Sequence, residues 1–215
     1  MPRSRPASTP YHHGDLRSAL LREALAADSL ETVSLRQLAA HIGVTAAAVY
    51  RHFESKEALL RTLAGLGFDR LHAAFAAAFS IDEPPADASA ARLRLQRLGV
   101  AYLDFASAEP ALWRLMFGTL GGAYRTSPPQ GGRQSTFDYL PAAILGLYRT
   151  GVLASPPKQD DVLFSWSTIH GLAGLRAGGI PLAQGPAERI ASEAVDRVIA
   201  ALSAVHRVEQ SNATA

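Results

Sequence analysis

Residues 34–56, SLRQLAAHIGVTAAAVYRHFESK, gather most of the side chains in this sequence whose types and spacing could do chemistry. Arg36 and Arg51 carry guanidinium forks, which match the paired O6 and N7 acceptors on a guanine edge. Ser34, Thr45, Tyr50, His52 and Lys56 add hydroxyls, an imidazole and an ammonium, all hydrogen-bond donors. Between them Ala46, Ala47 and Ala48 offer only methyl groups. A methyl cannot hydrogen-bond a base, but it fits against the thymine methyl. The shared chemistry is recognition of duplex DNA.

Other chemistries find less material. The chain has no Cys, so disulfides, thiolate nucleophiles and Cys-based zinc sites are excluded. His12 and His13 are adjacent, and the other histidines are scattered without a ligand cluster, so no metal site is assigned. No nucleophile-elbow signature or acid-base pair is found, so no residue is assigned as catalytic, no enzyme activity is expected and no cofactor is implied. Gly65 and Gly67 form a Gly-x-Gly without a preceding strand, which is not a dinucleotide loop. A local helix kink is expected there.

The elements that must position the polar set can be read from the same stretch. Ser34 and Gln37 have capping-box spacing, and Leu35, Leu38, Ala39 and Ile42 then form one apolar stripe. Gly43 can end this helix in the left-handed conformation, Val44 plugs the corner, and Thr45 caps a second helix over residues 45–52. A slim helix with small residues in front and polar tips suits a major groove. Two short helices broken at a glycine read as a helix-turn-helix.

The run Val33, Ser34, Leu38, Ala39, Gly43, Val44, Thr45, Val49, Tyr50, His52, Phe53, Ser55, Lys56, Glu57, Leu59 and Leu60 is similar to the N-terminal domain of the TetR family of bacterial transcriptional regulators. The likeness is continuous from Tyr11 to Leu60 and includes a YHHGDLR lead-in that resembles one branch of that family. Trp166, His170 and Gly171 resemble the Trp-x-x-x-His-Gly effector-domain signature of the same branch. The resemblance implies a ligand-responsive repressor, a homodimer on a pseudo-palindromic operator. It places Arg36 at a base edge or nearby phosphate, and Tyr50, His52 and Lys56 on the backbone. It also implies that the last two long helices form a four-helix bundle across a two-fold axis, for which Gly171, Gly174, Ile190, Ala194, Val198 and Ala201 are the candidate interface.

Composition is compatible with this reading. At 215 residues the chain can build an ample core in one or two lobes. The net charge is only +2, with all of the excess in residues 1–72, where nine Lys/Arg face seven Asp/Glu. That is a weak electrostatic footprint for a DNA binder, so the motif carries the reading. No apolar run reaches the ~18 residues of a membrane span, and the start lacks an apolar signal core, so a soluble, unprocessed, cytoplasmic protein is expected.

The expected fold is all-α with about nine helices and no strands. Residues 1–13 form a flexible arm with Arg3 and Arg5, residues 14–60 the DNA-binding domain, residues 61–206 an effector-binding and dimerisation domain, and residues 207–215 a flexible tail. Helices are expected over 15–30, 34–42, 45–52, 55–80, 88–108, 135–150, 158–177 and 187–205, with a short one from Pro110. Arg92, Arg94 and Arg97 read as a solvated face, and residues 118–134, rich in Gly and Pro, as a mobile gate. Tyr102, Phe105, Trp113, Met116, Phe117, Trp166 and His170 are candidates to line a pocket for an apolar, uncharged small molecule, or else to fill the core. Two further readings fit a helical chain: a protein-interaction module, or a small-molecule-binding protein whose helix-turn-helix is non-functional.

Overall fold

The computed structural model describes residues 16–27, 30, 32–118, 135–180 and 185–213. Among them are nine α-helices and no strand: α1 (Leu16–Leu25), α2 (Leu35–Ile42), α3 (Ala46–Tyr50), α4 (Lys56–Ala78), α5 (Ala88–Ala108), α6 (Pro110–Phe117), α7 (Tyr139–Arg149), α8 (Gln159–Ala177) and α9 (Ala187–Ala213). A single 3-10 turn, Thr136–Asp138, precedes α7. The expected arm and the gate over 119–134 lie outside the described residues.

The first lobe forms because its apolar stripes share one floor. Leu16, Leu20 and Ala24 of α1, Leu35 and Leu38 of α2, Val49 of α3 and Leu59, Leu60 and Leu63 of α4 are all buried in one continuous cluster with Phe53. Arg17 ties its rim together. Its guanidinium lies 4.7 Å over the Phe53 ring and donates to the His52 carbonyl and the Thr62 hydroxyl, both at 3.4 Å. The helix expected over 15–30 stops at Leu25, because Leu30 and Val33 must turn back to be buried under α2.

Lys56 begins a helix that runs without a break past residue 60 to Ala78, capped by Ser55, whose Oγ accepts from Ala58 N at 3.1 Å. The helix is continuous through its glycines. Gly67 is instead a seat: a Cβ there would collide with the Met116 side chain of α6. This bare spot lets α6 lie close against α4.

In the second lobe α5 is central and packs against α4, α7, α8 and α9. Asp87 caps it through Ala90 N at 2.8 Å. Arg94 is not simply solvated, since it hydrogen-bonds the Glu83 carbonyl and lies 5.4 Å over the Phe79 ring. The expected frayed tail from residue 207 is also corrected, because α9 stays helical to Ala213. It is held there by Lys158 on Glu209 at 2.7 Å and by Gln210 on the Ala154 carbonyl at 2.7 Å. Just inside lies buried His206, which reaches Asp161 (3.1 Å) and the Ser155 hydroxyl (2.7 Å). Asp161 in turn accepts the Lys158 amide at 2.7 Å, so one carboxylate fixes the start of α8 against the end of α9.

Candidate functional site

The reading unit is built by its two caps. Gly43 sits at φ 78° and ψ 29°, and the corner closes as Val44 N donates to Ala39 O at 2.9 Å. A residue with a Cβ is strained in that conformation, so glycine is the low-cost end for α2. Thr45 then caps α3, its Oγ1 accepting from Ala48 N at 3.2 Å. Ser34 occupies the cap position of α2 in extended conformation but makes no side-chain cap bond, so the expected capping box with Gln37 does not form. The backbone alone starts that helix, with Leu38 N on Ser34 O at 2.9 Å.

With Val49 and Phe53 turned into the core, α3 presents its other faces outward. Arg36, Thr45, Ala47, Tyr50 and Arg51 are exposed, Tyr50 by 46%. Ser34, Ala46, His52 and Lys56 are half-buried at the edges of the same surface. Sequence reasoning missed Arg17. Its single positive charge spans α1, α3 and α4, a role that becomes visible only in three dimensions.

A second feature lies in the other lobe. Between α4, α5, α8, α9 and the 3-10 turn is a cavity of about 190 Å³ with an apolar wall. Of the expected pocket residues, Tyr102, Phe117 and Trp166 line it. Phe105, Trp113, Met116 and His170 do not. Met116 and Phe105 are core, and His170 packs behind the wall among Tyr102, Trp113, Phe117 and Trp166, with ring centres 4.9–6.0 Å away. The residues missed, among them Leu71 and Phe75 of α4, Phe137, Ile169 and Val195, come from segments far apart in sequence.

Tyr102 and His170 form the polar joint of this wall, Oη to Nδ1 at 2.6 Å. Burial pushes the Tyr102 phenol up to about 12, opposed by the neighbouring indole groups of Trp166 and Trp113. Trp113 Nε1 is itself buried and falls short of true hydrogen-bonding geometry. Burial also lowers the His170 pKa. Both groups are therefore neutral at pH 7, as expected for a wall that avoids charge.

The expected interface residues divide. Ile190, Ala194 and Val198 are buried in the chain's own core, and Ala194 and Val198 line the cavity. A Cβ on Gly174 would meet the Trp113 ring at 3.4 Å, whereas Gly171 is exposed with nothing near it. Ala201 is half-buried. The most apolar stripe of α9 docks inside the chain, and a weaker strip, Ala200, Ala204, Val205 and Val208, faces out. Phe164 and Leu175 are likewise exposed on α8.

Two family profiles cover most of this architecture. Residues 20–63 match "Bacterial regulatory proteins, tetR family", and residues 95–202 match "Tetracyclin repressor-like, C-terminal domain". The chain belongs to the TetR family of bacterial regulators. Among solved structures, a protein of unknown function from Rhodococcus sp. RHA1 is similar at 32% identity, covering 91% of this chain and 100% of that one, with a TM-score of 0.68. The TetR family regulator PfmR from Thermus thermophilus shares 19% identity over 86% of this chain and 96% of its own, at a TM-score of 0.58. AibR, solved with isovaleryl coenzyme A and operator DNA, shares the fold at 16% identity, 85% and 95% coverage and a TM-score of 0.55. No curated protein matches this regulator. No helix among its described residues is long and apolar enough to cross a membrane.

Proposed function

We propose that this TetR-family regulator is a ligand-responsive repressor that binds a pseudo-palindromic operator as a homodimer. The observation that carries the reading is the exposed face of Arg36, Thr45, Ala47, Tyr50 and Arg51, held on two capped helices above a packed core. Arg36 and Arg51 are assigned to guanine, the alanines to thymine methyls, and Thr45, Tyr50, His52 and Lys56, with Ser34 at the edge, to the backbone. DNA shape supplies further specificity.

The homodimer is supported by the exposed strips on α8 and α9, where Phe164 and Leu175 are each 47% exposed and Val208 60%. Such faces are covered in pairs when two copies meet about a two-fold axis. Ligand response follows from α4, which carries Leu59 and Leu60 in the DNA-binding core and Leu71 and Phe75 on the cavity wall. A ligand that favours one placement of α4 shifts the population of reading-helix spacings by its differential affinity for the two states. That AibR, which shares the fold, was solved with isovaleryl coenzyme A and operator DNA supports a reading with both kinds of partner.

The test is anisotropy of labelled duplex DNA across a salt series. Parent protein should show log affinity falling linearly with log salt, and Lys56→Ala should weaken all sequences equally with a shallower slope, by about one phosphate contact. Salt-independent binding, or none to any duplex, would sink the reading in favour of a helical module with an idle helix-turn-helix.

A further inference from the structure

We propose that the cavity takes a compact, uncharged apolar molecule carrying one hydrogen-bond donor, such as an alcohol or phenol, in preference to a ketone or a carboxylate. The proposal rests on the effector reading of the cavity above. Size comes first: about 190 Å³ is a little more than the ~150 Å³ cavity that accommodates benzene in a well-studied protein, so a single ring with a small substituent fits. Charge comes next, since no ionisable acid or base other than the Tyr102 phenol is among the described lining residues. An anion would enter without a counter-charge, at a high desolvation cost.

The preference for a donor comes from where the hydroxyl protons already point. Thr136 Oγ1 donates to the Phe68 carbonyl at 3.3 Å, Ser165 Oγ to the Asp161 carbonyl at 2.7 Å, and Thr168 Oγ1 to the Phe164 carbonyl at 2.9 Å. Tyr102 Oη and His170 Nδ1 are likewise paired with each other, at 2.6 Å. The three hydroxyls on the wall have thus committed their donors to backbone carbonyls and keep lone pairs. A ligand O–H meets an acceptor at each of them, whereas a ligand carbonyl finds their protons already engaged and loses its water.

Cyclohexanol, cyclohexanone and cyclohexanecarboxylate separate these cases at nearly constant shape. The alcohol and the carboxylate are transparent where tryptophan is excited, the weak carbonyl absorption of the ketone is subtracted with a free-tryptophan control, and the chain's two tryptophans report the site, Trp166 on the wall and Trp113 behind it. Titrated into the full chain at pH 7.5, cyclohexanol should shift the emission with an affinity about fivefold above cyclohexanone. The carboxylate should bind at least about tenfold more weakly than the alcohol. Ser165→Ala, Thr168→Val and Thr136→Val, each checked for native helicity, should collapse the alcohol-to-ketone ratio in at least one variant. Ala194→Leu should weaken all three probes by filling the cavity. The proposal is overturned by a carboxylate or ketone that matches the alcohol, by a ratio that survives all three hydroxyl substitutions, or by the absence of any response at millimolar probe. Sequence-selective DNA binding persisting in that last case would leave the regulator reading intact.

Discussion

In the DNA-binding lobe, Arg36, Tyr50 and Arg51 stand in solvent with their donors outward, while around the cavity Thr136, Ser165 and Thr168 have turned their protons onto backbone carbonyls. In the proposed function one surface gives hydrogen bonds to a polyanion, and the other accepts at most a few from a small apolar guest. The difference follows from solvent. Exposed guanidinium groups lose little by waiting hydrated for DNA, whereas a hydroxyl in an apolar wall must be satisfied before any ligand arrives.

The contrast breaks first at the arginines. Arg36→Ala and Arg51→Ala should each cost about 1–3 kcal/mol of specific DNA binding and relax discrimination at one operator position, with unfolding midpoints unchanged. Equal affinity of both variants for every sequence would remove these residues from base reading. At the junction between the lobes, Gly67→Ala should destabilise the fold by about 1–3 kcal/mol, because the new methyl meets Met116. Denaturant curves should show a smaller penalty for the same change in a Met116→Ala background; an unchanged penalty would mean that Met116 is not the obstacle.

The caps give a smaller and more discriminating pair. Thr45→Ala should lose about 1 kcal/mol of stability with its bond to Ala48 N, whereas Ser34→Ala should be near neutral, having no such bond to lose. If the serine proved the costlier of the two, the capping box anticipated at residues 34–37 would have to form in solution. The smallest effects are those of pH. His170, held below its ordinary 6.5, lets the unfolded chain take up protons first, so stability should decline as pH falls below 6.5 and level off once the folded value is passed. Tyr102, raised to about 12, should cause a loss between pH 10 and about 12 as the unfolded phenol ionises first. A Tm series should show both limbs, and Tyr102→Phe should shrink the alkaline one, leaving the share of Tyr139, whose phenol burial also raises.

The first lobe was legible because its determinants are local. A stripe at i, i+3, i+4, i+7, a glycine at the turn and a threonine cap all lie within about a dozen residues, and the boundaries of α2 and α3 agree to within a residue or two, whereas α1 ends five residues early. The cavity was only half legible. Tyr102, Phe117 and Trp166 could be named as large rings on apolar faces, but their spacing says nothing about whether a ring faces a void or fills one. Met116 illustrates this: only the bare backbone of Gly67 on another helix makes it core. Ala194 and Val198 fail for the opposite reason. A helical stripe declares that a face is buried without naming its partner, and α5 of the same chain claims it. The Asp161–His206 contact spans 45 positions and had no local signature at all.

The most direct test of the account is selection of bound duplexes from a random pool. The enriched sequences should be inverted repeats whose half-sites lie about 34–36 Å apart, or a multiple of that, with guanine and thymine at the positions facing Arg36, Arg51 and the alanines. Arg51→Ala should lose one of those positions. No enrichment, or a single half-site bound by one copy of the chain, would contradict it.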